Sequence, residues 1–212
     1  MKHGTPTCST PAERFDALHR ADPDPWRFRT RWYEARKRAV LLACLPHRRY
    51  GSAYEPGCSN GELSAALAER CDRLLASDIA DSAVAVARAR TAALANVVIE
   101  RHDVPRDWPS GRFDLVVVSE IAYFLTPDAL DRLVGRAVEA LDPGGVLVAC
   151  HWLGPIDGFA FRSGAEAQAR IESRLAIAEP AMTRRVDHRE PDFALGCWSH
   201  GARVDARHED AT

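Results

Sequence analysis

Residues 53–61 read Ala-Tyr-Glu-Pro-Gly-Cys-Ser-Asn-Gly, an acid-x-Gly-x-x-x-Gly turn between a short apolar run and a helical pattern. Gly57 and Gly61 can take positive φ and carry no Cβ, so backbone N–H groups can approach a small polar ligand at the start of the next helix. Glu55 adds a group that, when ionised, only accepts hydrogen bonds. A carboxylate there repels a pyrophosphate and suits a ligand bearing an ammonium group or ribose hydroxyls. A second apolar run, 73–77, ends at Asp78 roughly twenty residues beyond Gly57, where an acid in nucleoside-binding strand–helix–strand units bonds the ribose diol. Further along stand Asp103-Val104 after a strand-like run, Ser119-Glu120 at the end of the run from Phe113, and His151-Trp152 after a run from Val146. A Leu141-Asp142-Pro143-Gly144-Gly145 break precedes the last of these.

The elements that must position these residues alternate strand and helix. Strands are expected over 52–55, 73–77, 97–101, 113–119 and 146–151, and helices over 62–70, 82–94 and 127–141. Such alternation with nearly continuous apolar strands predicts an α/β fold, a parallel sheet covered on both faces. In the 127–141 helix, Leu130, Leu133, Val134, Ala137 and Leu141 recur at helical spacing, Thr126 can cap and Pro127 takes the first position. A helix over 163–176 then leads to two runs, 181–188 and 192–199, too close together to be anything but an antiparallel hairpin. At the N-terminus, 1–23 reads as a polar, frayed arm with one helical turn near 12–18. Asp24-Pro25 starts a helix that Pro46 stops, so 24–46 is expected as a lid over the strand ends. The rest reads as one domain, 24–200, with a disordered tail over 201–212.

The ordered set Glu55-x-Gly57-x-x-x-Gly61, Asp78, Asp103, the 113–120 strand and Leu141-Asp142-Pro143-Gly144-Gly145 resembles the class I S-adenosylmethionine-dependent methyltransferases. A narrower resemblance covers nearly the whole chain. It rests on Asp24-Pro25-Trp26-Arg27-Phe28 ahead of Trp32-Tyr33-Glu34, on Glu55-Pro56-Gly57-Cys58, on Ser119-Glu120 followed by Tyr123, and on His151-Trp152. These residues are similar to those of the nodulation protein S group, which includes N-methyltransferases acting on the free amine of a deacetylated chitooligosaccharide.

The resemblance implies a Rossmann-like class I methyltransferase fold: seven mostly parallel strands with a reversed last strand, helices on both faces and an N-terminal helical lid. It implies S-adenosyl-L-methionine as cofactor and S-adenosyl-L-homocysteine as product. Asp78 would accept both ribose hydroxyls, Ile79 would pack on the adenine, Asp103 would accept from the adenine amino group and the Val104 N–H would donate to a ring nitrogen. Gly57 and the Ser119 carbonyl would receive the ammonium end, with Glu55, Cys58 and Gly61 completing the loop and Tyr33 beside it. Arg36, or its neighbour Arg31, would hold the methionine carboxylate bidentately. Glu120, Tyr123 and His151 would stand at the mouth, Glu120 or His151 serving as base, with Trp26, Trp152 and His188 against the acceptor. The acceptor is expected to be a small polar amine, such as that of an amino sugar; O-methylation of a small molecule is the alternative.

Other function classes fit less well. Gly57-Cys58-Ser59-Asn60-Gly61 matches Gly-x-Ser-x-Gly, the nucleophile elbow of α/β-hydrolases, but only one strand can precede Ser59 and no Gly-rich oxyanion segment lies upstream. A dinucleotide dehydrogenase is disfavoured because Ser59 occupies the second glycine of Gly-x-Gly-x-x-Gly. A module that binds the cofactor without turnover is the remaining alternative, against which Glu120 and His151 weigh. No spacing suggests a zinc or hard-cation site, so a metal-independent reaction is expected. A net charge of -2 and pI near 6.4 over 212 residues argue against a nucleic-acid partner. Six cysteines without paired spacing read as reduced residues of a cytoplasmic protein. No apolar run has the length of a membrane span, and a monomer or homodimer is expected.

Overall fold

A computed structural model describes residues 10–201; the expectations for residues 1–9 and 202–212 lie outside them. Seven strands, β1 (Ala53–Pro56), β2 (Leu74–Asp78), β3 (Val97–Arg101), β4 (Phe113–Ser119), β5 (Leu141–Trp152), β6 (Met182–Arg189) and β7 (Phe193–His200), form one sheet ordered β3-β2-β1-β4-β5-β7-β6. The first five run parallel, and β7 pairs antiparallel with both β5 and β6. This is the seven-stranded, mostly parallel sheet with a reversed last strand. Leu115, Val116 and Val117 are fully buried, because helices cover both faces and leave no solvent side on which polar residues would alternate.

On one face α5 (Pro127–Ala140) and α6 (Gly164–Ala176) bury Leu130, Leu133, Ala137, Ile171 and Leu175 with Val116 and Leu147. On the other, α2 (Trp32–Ala43) and α3 (Glu62–Ala68) contribute Leu41 and Leu67 to a core with Leu74, Leu115 and Val148. α4 (Asp81–Thr91) covers β2 and β3 through Val84 and Ala87 against Ala76 and Ile99. Strand order reverses between β1 and β4, so the crevice beyond their carboxyl ends is the place where an open α/β sheet accepts a ligand.

Three expectations are corrected. The polar arm is a full helix from residue 11: α1 (Pro11–Ala21) is held by a capping box in which Thr10 accepts from the Glu13 N–H and Glu13 accepts from the Thr10 N–H, with Pro11 in the first turn. It is tied to α4, since the Ser82 N–H donates to the Asp16 carboxylate at 2.8 Å and the Ser82 hydroxyl to the Asp16 carbonyl at 3.0 Å. The 24–46 lid helix begins only at Trp32. Asp24 turns its carboxylate onto the Phe28 and Arg29 N–H groups at 2.8 and 3.1 Å, and Arg27 adopts φ +62°, so residues 24–31 form a compact turn. Finally, β5 takes in the 141–145 break and continues through His151, one register irregularity opposite β4 absorbing the turn at Gly144.

Candidate functional site

A cleft of about 960 Å³ opens at the carboxyl ends of β1, β2 and β4, walled by α1, the 24–31 turn and α2. It is lined by Glu55, Gly57, Cys58, Asp78, Ile79, Asp103, Val104 and Ser119, and also by Tyr33, Glu120, Tyr123, Trp26 and Trp152. Most of the residues singled out in the sequence therefore share one cavity.

The glycine loop does not act as a cradle of free donors. The Gly57 and Cys58 N–H groups both donate to the Ser77 carbonyl, at 2.6 and 2.8 Å, and the Ser59 N–H donates to the Asp78 carboxylate at 2.9 Å. Three of the loop N–H groups are thus already engaged, which disfavours a pyrophosphate. Gly57 has φ +76°, and a Cβ there would meet Ile121 Cγ2 at 2.0 Å. Gly61 is not on the cleft wall: at φ +78° it starts α3, and a Cβ would stand 3.0 Å from the Ala87 backbone, so it serves the packing of α3 on α4.

Asp78 accepts from the Ser59 and Ala80 N–H groups, with the Ile79 N–H also turned to it, and a carboxylate so held keeps some acceptor capacity for a ligand. Burial raises its pKa, opposed by those backbone N–H groups. Asp103 lines the same wall, and its carboxylate engages no other described residue. Glu55 lies beneath the loop, 3% exposed, and accepts from the Ser64 hydroxyl at 2.6 Å. Burial pushes it up to about 8, so at neutral pH it ionises readily only beside a cation.

At the other end of the cleft, Glu120 follows β4 with φ +59°, an uncommon backbone for a residue with a side chain. Its carboxylate accepts from Lys37 Nζ, from the Tyr123 hydroxyl, and from the Trp152 N–H at 3.2 Å. Lys37, on α2, also bonds Glu34 at 2.8 Å, one turn before it on the same helix face. All of this is largely closed to bulk solvent, Lys37 being 6% and Glu34 7% exposed. Burial alone would lower the Lys37 pKa, but Glu120 and Glu34 outweigh it and hold the ammonium charged. Burial raises Glu34 despite Lys37, and burial with the Glu120 charge raises Tyr123, which stays a donor. The result is two carboxylates around one ammonium at the switch-point crevice. Beside them Trp26 packs with Phe28, Phe124 and Phe15, ring centroids 5.8 to 6.4 Å apart, as an apolar wall.

Besides Gly61, three anticipated site residues are placed elsewhere. Arg36 points away from the cleft and pairs with Glu190 through both guanidinium nitrogens, at 2.6 and 2.7 Å. Arg31 does line the cleft, its guanidinium 5.8 Å from the Tyr33 ring centre. His188 bonds the same Glu190 at 2.8 Å, outside the cavity. His151 is fully buried behind the wall: its Nε2 accepts from the Ala122 N–H at 3.3 Å and its Nδ1–H donates to Gln168 at 2.8 Å. Burial lowers its pKa, and both ring nitrogens are engaged within the protein, which bridges the Ala122 backbone to Gln168 on α6. Ser59 has a histidine neighbour, His19 Nε2 at 3.3 Å, but the His19 Nδ1 has no hydrogen-bond partner among the described residues, so no acid completes a hydrolase triad there. Lys37, Glu34 and His19 were not legible as site residues, because polar positions on helices read as solvent faces.

Comparison with known proteins places this geometry. The family profile described as nodulation protein S matches residues 10–178. A nodulation protein S of Rhizobium tropici is 34% identical over 140 residues, which cover 64% of this chain and 59% of the relative. The chain thus spans about three fifths of that relative's length. Among solved structures, a Pseudomonas syringae protein provisionally classed as a methyltransferase is 44% identical, covering 80% of this chain and 99% of that one, with a TM-score of 0.69. The N-methyltransferase NodS of Bradyrhizobium japonicum WM9, in complex with S-adenosyl-L-homocysteine, superposes with a TM-score of 0.72 at 24% identity, covering 89% and 98%. The fold is accordingly the Rossmann-like class I methyltransferase fold, and the match through residues 10–178 makes this chain a member of the nodulation protein S family.

Proposed function

We propose that the protein is an S-adenosylmethionine-dependent methyltransferase acting on the amine of a small polar acceptor, an amino sugar being the favoured class. One observation carries the choice of acceptor: the buried Glu34–Lys37–Glu120 cluster opens on the same cleft as Asp78. Two carboxylates against one ammonium leave a net negative end, which attracts a protonated amine and repels a carboxylate acceptor.

The cavity fits the cofactor. Its volume suits a nucleoside with a small acceptor. Asp78 retains acceptor capacity for a diol, Asp103 can accept from an amino group, and Glu55 awaits a cation such as the methionine ammonium. S-adenosylmethionine, when bound, supplies a methyl group already activated on sulfonium sulfur. The protein's share is then to bind, orient and exclude water. Trp26, Trp152 and Phe124 close the acceptor end. The acceptor must shed a proton before its nitrogen can attack. Glu120 already carries three donors, whereas Glu34 accepts from Lys37 alone. Glu34 is therefore the group that receives the proton, and Glu120 the fixed anion that orients the amine.

Asp78→Ala is expected to lose two hydrogen bonds from the ribose to an acid, each worth about 1.5–3 kcal/mol before compensation. Calorimetry with S-adenosyl-L-homocysteine measures the loss. Wild-type affinity in the variant would remove the ribose site and the cofactor assignment built on it.

A further inference from the structure

We propose that Asp24 is a positioning residue that ties the acceptor wall to the cofactor loop, so that a ligand held at Asp78 fixes the turn carrying Trp26 and Phe28 and prepares the cleft for the acceptor. This rests on the reading of the cleft given above and concerns a residue that does not itself line it. Asp24 is 8% exposed, and its carboxylate gathers donors from two parts of the chain. The Phe28 N–H at 2.8 Å and the Arg29 N–H at 3.1 Å close its own turn, while Asn60 Nδ2 reaches it from the loop at 2.8 Å. Asn60, 2% exposed, directly follows Ser59, whose N–H donates to Asp78 at 2.9 Å. Beyond the turn, Trp26 and Phe28 line the cleft and Trp26 packs on Phe124. An unbroken chain of bonds therefore runs from the acid proposed for the ribose to the rings proposed for the acceptor.

Both segments joined by this chain hold backbone that relaxes unless it is fixed. Ser59 has φ +50° and Arg27 φ +62°, left-handed values at residues with side chains, which persist only where surrounding bonds over-determine them. Ser59 is fixed through Asp78, and the turn around Arg27 through Asp24. The Asn60 bond links the two, and hydrogen bonds to a carboxylate are stronger than those between neutral groups. A ligand engaging Asp78 stabilises the loop conformation from which Asn60 reaches Asp24, and the turn closed by Asp24 then presents its rings. By linkage, an acceptor seated on Trp26 tightens cofactor binding by the same factor.

The test is amide hydrogen exchange of residues 24–31, with and without S-adenosyl-L-homocysteine, in the wild type and in Asn60→Ala, which cuts the tie but leaves both turn bonds of Asp24. In the wild type the ligand is expected to slow exchange at Phe28 and Arg29 roughly fivefold or more. In Asn60→Ala the slowing should fall below about twofold while calorimetry finds ligand affinity within about threefold of wild type. Asn60→Asp keeps the acceptor for the Glu62 N–H and replaces only the donor, so it is expected to lose the slowing as well, and it serves if alanine lowers the melting temperature. With deacetylated chitooligosaccharide as acceptor, Asp24→Ala and Asn60→Ala should each raise the acceptor KM roughly fivefold, and the double variant no further than either. Slowing in the Asn60 variants equal to that in the wild type means that the ligand orders the turn by direct contact, and overturns the inference. No slowing in a wild type that binds the ligand overturns it too, as do additive effects on KM. Absence of ligand binding by the wild type would instead overturn the proposed function and this inference with it.

Discussion

Lys37→Met is expected to destabilise the fold by about 3–5 kcal/mol at neutral pH, because it leaves the carboxylates of Glu34 and Glu120 buried together without their cation. The loss should be pH-dependent. Glu34 already titrates above its ordinary value through burial, and removal of Lys37 takes away the largest influence opposing that shift. An acid whose folded pKa exceeds its unfolded pKa binds more protons when folded, so its unfavourable contribution grows as pH rises from the unfolded value through the folded one. The deficit should therefore be largest near pH 7.5 and shrink toward pH 4.5. Urea midpoints at the two pH values measure it. Equal midpoints for variant and wild type at pH 7.5 would mean that the cluster is not the closed, charge-balanced unit described here.

Glu34→Gln should lower kcat by about 10²- to 10⁴-fold, the usual contribution of a positioned base, while S-adenosyl-L-homocysteine affinity stays within about twofold. In the wild type, kcat with an amine acceptor should fall on the acid side as Glu34 becomes protonated, at a pH above the ordinary carboxylate range. In the glutamine variant that limb should disappear. Glu120→Gln should also slow turnover, but by disordering Tyr123 and the Trp152 backbone that converge on it, so its acid limb should persist. His151→Asn should leave the pH profile in place, since both ring nitrogens face inward. A retained acid limb in Glu34→Gln would return the proton to Glu120 or to solvent.

The sheet and the cofactor corner were legible in the sequence because their signals are local: apolar strands, glycines with positive φ, and acids just beyond strand ends. Asp78, Ile79, Asp103 and Ser119 all reach the cleft for that reason. The acceptor end was only half legible. Arg36 and Lys37 are adjacent on α2 and so about 100° apart around it, which sends one outward to Glu190 and the other inward to Glu120. Choosing between them needed the helix phase, and that was obscured because the buried face carries Glu34 and Lys37 in line with Leu41. His151 was read as a strand end, but β5 runs one residue further and the alternation of strand side chains turns it toward Gln168 on α6. The α1 helix was hidden by its polarity, although Thr10-x-x-Glu13 after the fact spells its capping box.

The most direct test of methyl transfer to an amine is to supply S-adenosylmethionine carrying a ¹³C-labelled methyl group. A deacetylated chitooligosaccharide and glucosamine are offered in parallel with their N-acetylated counterparts, and the labelled products are read by NMR. The account predicts label on nitrogen of a free-amine acceptor and none on the acetylated compounds, which lack the free amine proposed to meet Glu34 and Glu120. Label on oxygen, or equal transfer to the acetylated compounds, would contradict it.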